Sequence, residues 1–195
     1  MKKQDIIEFF DRLAPQWDDD MIRSDAIIRK ILDGAEVTQG KTVLDVACGT
    51  GVLIGDYLKR NVAQVTAVDI SPEMVRIAKS KFPQQEVEVL CADIENADLG
   101  TKFDCIVVYN AFPHFPNPEN LIFVLSQLLK EGGTLTVAHG MSREKIDAHH
   151  RGAASKVSAG LMHEDDLAAI MEKRLTLTVK LSDEKMYQVT AKKMV

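Results

Sequence analysis

Cysteine is scarce. Cys48, Cys91 and Cys105 are the three in 195 residues, with no CxxC spacing and no even count to pair. That leaves no basis for a disulfide framework. Each lies in or beside an apolar, strand-like segment, so reduced and mostly buried thiols are expected. Basic runs longer than two lysines are missing and the net charge is −5, which removes the electrostatic footprint that a phosphate backbone requires. Long apolar runs are absent too; the longest are strand-sized, too short to cross a bilayer. Met1–Asp11 carries Lys2 and Lys3, but Asp5 and Glu8 interrupt its apolar residues, so it does not read as a secretory leader. A soluble cytoplasmic protein is the expectation. No internal repeat or low-complexity stretch is present.

The composition is that of a globular protein, 46% hydrophobic and 27% charged, with length enough for one compact domain. Ile6–Leu13 reads as a short amphipathic helix ended by Ala14-Pro15, and Met21–Leu32 as a second, with Ile22, Ala26, Ile28 and Ile31 near one face. Beyond Gly40, Val/Ile/Leu-rich runs at Thr42–Ala47, Gln64–Asp69, Glu86–Cys91, Phe103–Tyr109 and Thr134–Ala138 alternate with helical segments. Such runs suit parallel strands buried on both faces. Ser71-Pro72-Glu73 and Asn117-Pro118-Glu119 each supply an N-cap, a preset first φ and an acidic first turn. Gly132-Gly133 would stop the helix Leu121–Leu129. A helix is expected to begin near Ser142, and His163–Lys173 is another. Leu175–Leu181 and Met186–Lys192 then form a hairpin around Ser182-Asp183-Glu184. The fold class is α/β, a Rossmann-like doubly wound sheet of about seven strands with one antiparallel member near its edge. The N-terminal helices are expected outside that core: residues 1–38 as a helical lid, 39–195 as the ligand-binding domain.

The most informative stretch is Val43-Leu44-Asp45-Val46-Ala47-Cys48-Gly49-Thr50-Gly51. A buried strand enters a turn whose glycines let backbone approach a ligand, and a helix opens after it. Asp69 ends the next strand 20 residues past Gly49, the distance at which an acid binds ribose hydroxyls. The third glycine of a dinucleotide fingerprint is replaced by Ile54. Asp45 would repel a pyrophosphate but suits a ligand bearing an ammonium and a sulfonium. Cys48 packs in the loop and needs no chemistry.

This segment resembles the first motif of class I S-adenosylmethionine-dependent methyltransferases, and the likeness extends over most of the chain. Val68-Asp69-Ile70-Ser71 is similar to the family's ribose-binding motif. Cys91-Ala92-Asp93-Ile94 is similar to its adenine-contacting stretch, Phe103 to Asn110 to its fourth-strand motif, and Leu128 to Leu135 to its helix-to-fifth-strand junction. The resemblance implies the strand order 3-2-1-4-5-7-6 with strand 7 antiparallel, and S-adenosylmethionine as cofactor. It assigns cofactor contacts to Asp45, Ala47, Gly49, Thr50 and Gly51 around the first loop, to Asp69, Ile70 and Met74 after the second strand, and to Asp93, Ile94 and Asn110. Phe9 to Asp18 resembles the N-terminal segment of quinone-biosynthesis C-methyltransferases, which folds over the cofactor. Trp17, the single tryptophan, then belongs to a lid, although packing of the N-terminal helices onto the sheet would also place it.

The implied enzyme transfers a methyl group in line to a small-molecule acceptor. Asn110-Ala111-Phe112-Pro113-His114-Phe115 lacks the Asn/Asp-Pro-Pro-aromatic grip of base-amino methyltransferases. With the acidic charge, that argues against DNA adenine or cytosine amines, and an RNA substrate would need basic surface that this chain hardly offers. His114 and His139 follow the fourth and fifth strands, at the edge where doubly wound sheets bind ligands. They are candidates for an imidazole base, or for a polar pocket that could hold a metal together with His149 or His150. Phe112, Phe115, Met141 and Met162 suit either an apolar pocket wall or the core. A non-catalytic S-adenosylmethionine-binding regulator and a nicotinamide-dependent oxidoreductase stay open as alternatives.

Overall fold

A computed structural model describes residues 1–19, 21–150 and 156–194; the side chains of His149 and His150 lie outside the described residues. Seven strands form one sheet in the order β3-β2-β1-β4-β5-β7-β6. They are β1 (Thr42–Val46), β2 (Gln64–Asp69), β3 (Val87–Cys91), β4 (Phe103–Tyr109), β5 (Leu129–His139), β6 (Thr176–Ser182) and β7 (Tyr187–Lys192). The first five pair in parallel, while β7 runs antiparallel to both β5 and β6. The β6–β7 turn is held by Asp183, whose Oδ1 accepts the Lys185 and Met186 N–H groups.

Strand alternation sorts the apolar residues onto two faces. Leu44, Val46, Ile106 and Val108 join one core with α5 (Pro118–Gln127), α6 (Arg143–His150) and α7 (Glu164–Glu172). Val43, Val65, Ala67 and Val107 join the other with α2 (Asp25–Gly34), α3 (Ile54–Lys59) and α4 (Pro72–Lys81). Both faces are covered, which is why these strands read as continuous apolar runs rather than alternating ones. Each fully buried Val or Leu contributes roughly 1.5–3 kcal/mol. The two N-caps act as expected: Ser71 Oγ accepts Met74 N–H, and Asn117 Oδ1 accepts Asn120 N–H.

Several expectations are corrected. The second helix begins at Asp25, not Met21, and Ile22 stands 74% exposed ahead of it. That helix is not outside the core: Ile28, Ile31 and Leu32 are buried in it, and Gln188 Nε2 and Thr134 Oγ1 bond to Ile31 O and Ala35 O. Only α1 (Lys3–Leu13) and the 3-10 turn Ala14–Gln16 stand over the carboxyl ends of the strands. Gly132-Gly133 does not stop a helix. α5 ends at Gln127, and the glycines lie within β5. There Gly132 has φ +74°, and the pair exchanges backbone hydrogen bonds with Lys193. Cys91 is exposed, unlike Cys48 and Cys105, because β3 is an edge strand.

Candidate functional site

The strand order reverses between β1 and β4, and a cavity opens at the carboxyl ends of β1 to β4, where doubly wound sheets bind ligands. It encloses about 1090 Å³ of empty space, part of it open to solvent.

Its floor is the loop after β1. Ala47, Gly49 and Gly51 take φ of +54°, +56° and +85°, a left-handed run that suits glycine and strains alanine. A Cβ on Gly49 would lie 3.7 Å from Trp17 Nε1 and 3.9 Å from Met74 Sδ, so it would fill space that the cavity needs. Asn110, after β4, is likewise left-handed with φ +54°, and its Oδ1 accepts Gly140 N–H.

Acidic groups stand at three successive strand ends. Asp45 is 2% exposed and its Oδ2 is buried without a hydrogen-bond partner. Burial pushes its pKa up to about 8; the facing Tyr57 hydroxyl draws it back and the Asp69 charge adds to the rise. Asp69 is also raised by burial, opposed by the N–H groups of Ser71, Gly49 and Ile70 and aided by the Asp11 charge. Its Oδ2 accepts Gly49 N–H at 2.8 Å and its Oδ1 accepts Ser71 N–H at 2.9 Å. Asp93 follows β3. Burial pushes it up, but Lys3 and Asn96 outweigh that and hold it below the usual range. Burial pushes the Cys48 thiol well up, consistent with a packing role.

The roof is the N-terminal segment. Lys3, Ile6 and Phe10, at i, i+3 and i+7 on α1, turn one helix face to the cavity, and Trp17 continues it. Phe10 meets Trp17 and His114 edge-on at 5.6 Å and 4.9 Å. Three polar contacts hold this roof down. Lys3 pairs with Asp93 and Glu95. Asp11 accepts Ser71 Oγ–H and Glu73 N–H at the start of α4. Asp18 accepts Thr50 Oγ–H and pairs with Lys81.

Among the residues expected at the cofactor, Trp17, Asp45, Ala47, Gly49, Asp69, Ile70, Met74, Asp93, Ile94 and Asn110 line the cavity, as does His114. Thr50, Gly51 and His139 do not. Thr50 turns its hydroxyl to Asp18, and Gly51 faces Phe82, whose ring a Cβ would meet at 2.7 Å. His139 is 2% exposed, paired across the ladder with Tyr187 and 6.0 Å from its ring. The two histidines are therefore not brought into one pocket. His114 sits in the 3-10 turn Phe112–His114, with Nδ1 2.7 Å from Val157 O. A carbonyl only accepts, so the neutral ring carries its proton on Nδ1 and its lone pair on Nε2. Among the described residues no group of three or more His, Cys, Asp or Glu is placed to hold a metal. Phe115 walls the cavity, Phe112 is core, and Met141 and Met162 pack partly buried against that core.

Lys3, Ile6, Phe10, Tyr109 and Glu95 also line the cavity and were not singled out from sequence. For Lys3 a signal existed: Lys3, Ile6 and Phe10 share one face once the helix is allowed to begin before Ile6.

Residues 43–133 match the family described as a methyltransferase domain. The malonyl-[acyl-carrier protein] O-methyltransferase of Acetivibrio thermocellus is 39% identical over 94 residues, 48% of this chain and 33% of that protein. A ubiquinone biosynthesis O-methyltransferase of Coxiella burnetii is 35% identical over 109 residues, 54% of this chain and 46% of that one. The chain thus spans less than half the length of these curated relatives. The N-methyltransferase NodS of Bradyrhizobium japonicum in complex with S-adenosyl-L-homocysteine superposes with a TM-score of 0.65 at 17% identity, covering 86% of this chain and 84% of NodS. The match begins at Val43, after the roof segment. Residues 43–133 match the methyltransferase-domain family model, and the seven-stranded fold built around them is shared with the S-adenosyl-L-homocysteine complex of NodS.

Proposed function

We propose that the protein is an S-adenosylmethionine-dependent methyltransferase acting on a small-molecule acceptor. One observation carries the reading: Asp45, Asp69 and Asp93 line one cavity above the glycine loop, and Lys3 is the one Lys or Arg among the described residues that joins them. The three acids would repel a pyrophosphate once ionised, and Asp45 is drawn into that form by a cation and not by an anion, which disfavours a dinucleotide. They complement a ligand carrying an ammonium, a sulfonium, ribose hydroxyls and an exocyclic amine.

In this reading the unpartnered Asp45 Oδ2 faces the cationic amino-acid end. Asp69 keeps lone pairs for ribose hydroxyls beyond the two backbone donors it already accepts. Ile70 and Met74 pack beside the nucleoside, and Asp93 with the Ile94 N–H receives the adenine edge. The cofactor, when bound, supplies the activated methyl group. The chain contributes orientation, exclusion of water beneath α1 and Trp17, and a proton acceptor. His114 Nε2 is the proposed acceptor of the nucleophile's proton, with its tautomer set by Val157 O. Phe10, Trp17, Phe115 and Ala111 form an apolar, largely aromatic wall beside it, which suits a small, uncharged acceptor surface better than a nucleic acid. Residues 3–19 act as the lid.

Release of S-adenosylhomocysteine is the test, measured with panels of thiol, amine, phenol and carboxylate acceptors, alongside calorimetric binding of S-adenosylhomocysteine. Binding and turnover of one acceptor class support the proposal. Binding without turnover on any panel leaves a regulatory binding module. No binding overturns the cofactor assignment.

A further inference from the structure

Lys3 lies 90 residues from Asp93 in the chain, yet its Nζ is 2.5 Å from Asp93 Oδ2 and 3.0 Å from Glu95 Oε2. The Glu95 side chain is 7% exposed. An ammonium shared by two carboxylates, one of them almost buried, is not an ordinary surface pair, which contributes little. It also borders the cavity directly, on the helix face formed with Ile6 and Phe10.

We infer that Lys3 is a positioning residue for the aminopurine ring: by bridging Asp93 and Glu95 it aims the Asp93 carboxylate at the ring's exocyclic amine and docks α1 as the roof in the same contact. The inference rests on the cofactor reading above and adds to it a residue outside the matched segment 43–133.

The acceptor capacity of Asp93 supports this. A carboxylate offers about four lone-pair sites. Lys3 Nζ, Asn96 Nδ2 and the Glu95 N–H occupy three. One remains, matching a single N–H of an amine. Lys3 also keeps that carboxylate ionised, hence a pure acceptor, because its charge and hydrogen bond oppose the effect of burial. A hypoxanthine ring places a carbonyl oxygen where adenine has the amine, and an ionised Asp93 would repel it. Selection between the two purines therefore passes through Lys3, as does closure of the roof.

The full chain is tested by calorimetry with S-adenosylhomocysteine and S-inosylhomocysteine, in wild type, Lys3→Met and Lys3→Arg, from pH 4 to 7. The wild type should prefer the adenosyl ligand. Lys3→Met should lose about tenfold or more for it, with a smaller loss for the inosyl ligand, so that the preference narrows; Lys3→Arg should restore both. The pH arm separates positioning from mere support. Accepting the amine requires the carboxylate, which is lost as pH falls through the Asp93 pKa. Without Lys3 that pKa rises, so adenosyl affinity should begin to fall at a higher pH than in wild type. If Lys3→Met does not fold, as judged by its thermal melt, the neutral Lys3→Gln takes its place. Unchanged affinity in the variant overturns the inference. So does an equal loss for both ligands with an unchanged pH profile, which is what a structural role alone would give. A wild type that binds neither ligand overturns the cofactor reading, and this one with it.

Discussion

Asp69 Oδ2 accepts the Gly49 N–H at 2.8 Å, so the acid that ends β2 holds the glycine loop that follows β1. The two motifs are one unit: the group proposed to bind ribose also shapes the turn beneath it.

Asp69→Ala should therefore act twice. Hydrogen bonds to a charged group contribute roughly 1.5–3 kcal/mol, so S-adenosylhomocysteine affinity should fall about ten- to a hundredfold, and the melting temperature should fall as well. Calorimetry and a thermal melt read the two effects separately. Unchanged affinity in a folded variant would sink the ribose assignment.

Asp45 makes stability and binding depend on pH in opposite senses. Its folded pKa, about 8, lies above the ordinary carboxylate value. The folded state thus holds a proton that the unfolded state has lost, and unliganded stability should decline as pH rises from about 5 to 8. Asp45→Asn should flatten that slope. A cationic ligand favours the ionised form, so binding near pH 7 should release protons, detectable as a dependence of calorimetric heat on buffer ionisation enthalpy. No release in wild type would show that Asp45 does not meet the ligand's positive end.

The roof is latched at Asp18, which joins Thr50 and Lys81 one residue past Trp17. With one tryptophan in the chain, saturating S-adenosylhomocysteine should change its fluorescence, and Asp18→Asn should weaken binding severalfold. A static spectrum, with normal affinity and turnover in Trp17→Phe, would remove this segment from the mechanism.

His114 and His139 should now behave differently. His114→Ala should keep near-normal cofactor affinity and lose about a hundred- to ten-thousandfold in turnover, the usual range for general-base catalysis. His139→Ala should lower thermal stability, because the ring is buried beside Tyr187, with turnover unaffected at a temperature where the variant is folded. Normal turnover in His114→Ala would leave proximity and desolvation to carry the reaction.

Apolar runs, capping residues and the terminal hairpin made the sheet legible in sequence, since each is a local signal with a short-range cause. The ladder order came from the family resemblance. What misled were places where distant residues decide. Gly132-Gly133 after a helical run reads as a helix stop, yet the partner that claims these residues is Lys193, about 60 positions on. His139 at a strand end reads as a rim residue, but β7 pairs across it. Thr50 sits in the glycine loop, and its hydroxyl is claimed by Asp18 from the roof. Lys3 went unnoticed because its meaning lies wholly in Asp93 and Glu95.

The insertion of β7 between β5 and β6 has a consequence for the order of assembly. A chain made from its N-terminus presents β5 with its β4 side paired and its other side bare until the seventh strand emerges. That open margin, flanked by Leu135, Val137 and Ala138, is a template for a neighbouring nascent chain. Completion by Tyr187–Lys192 closes it and brings Gln188 to Ile31 of the second helix. Two segments 157 residues apart thus meet when the last ladder closes, and a ribosome-bound intermediate stalled before residue 187 should be the species most in need of a chaperone.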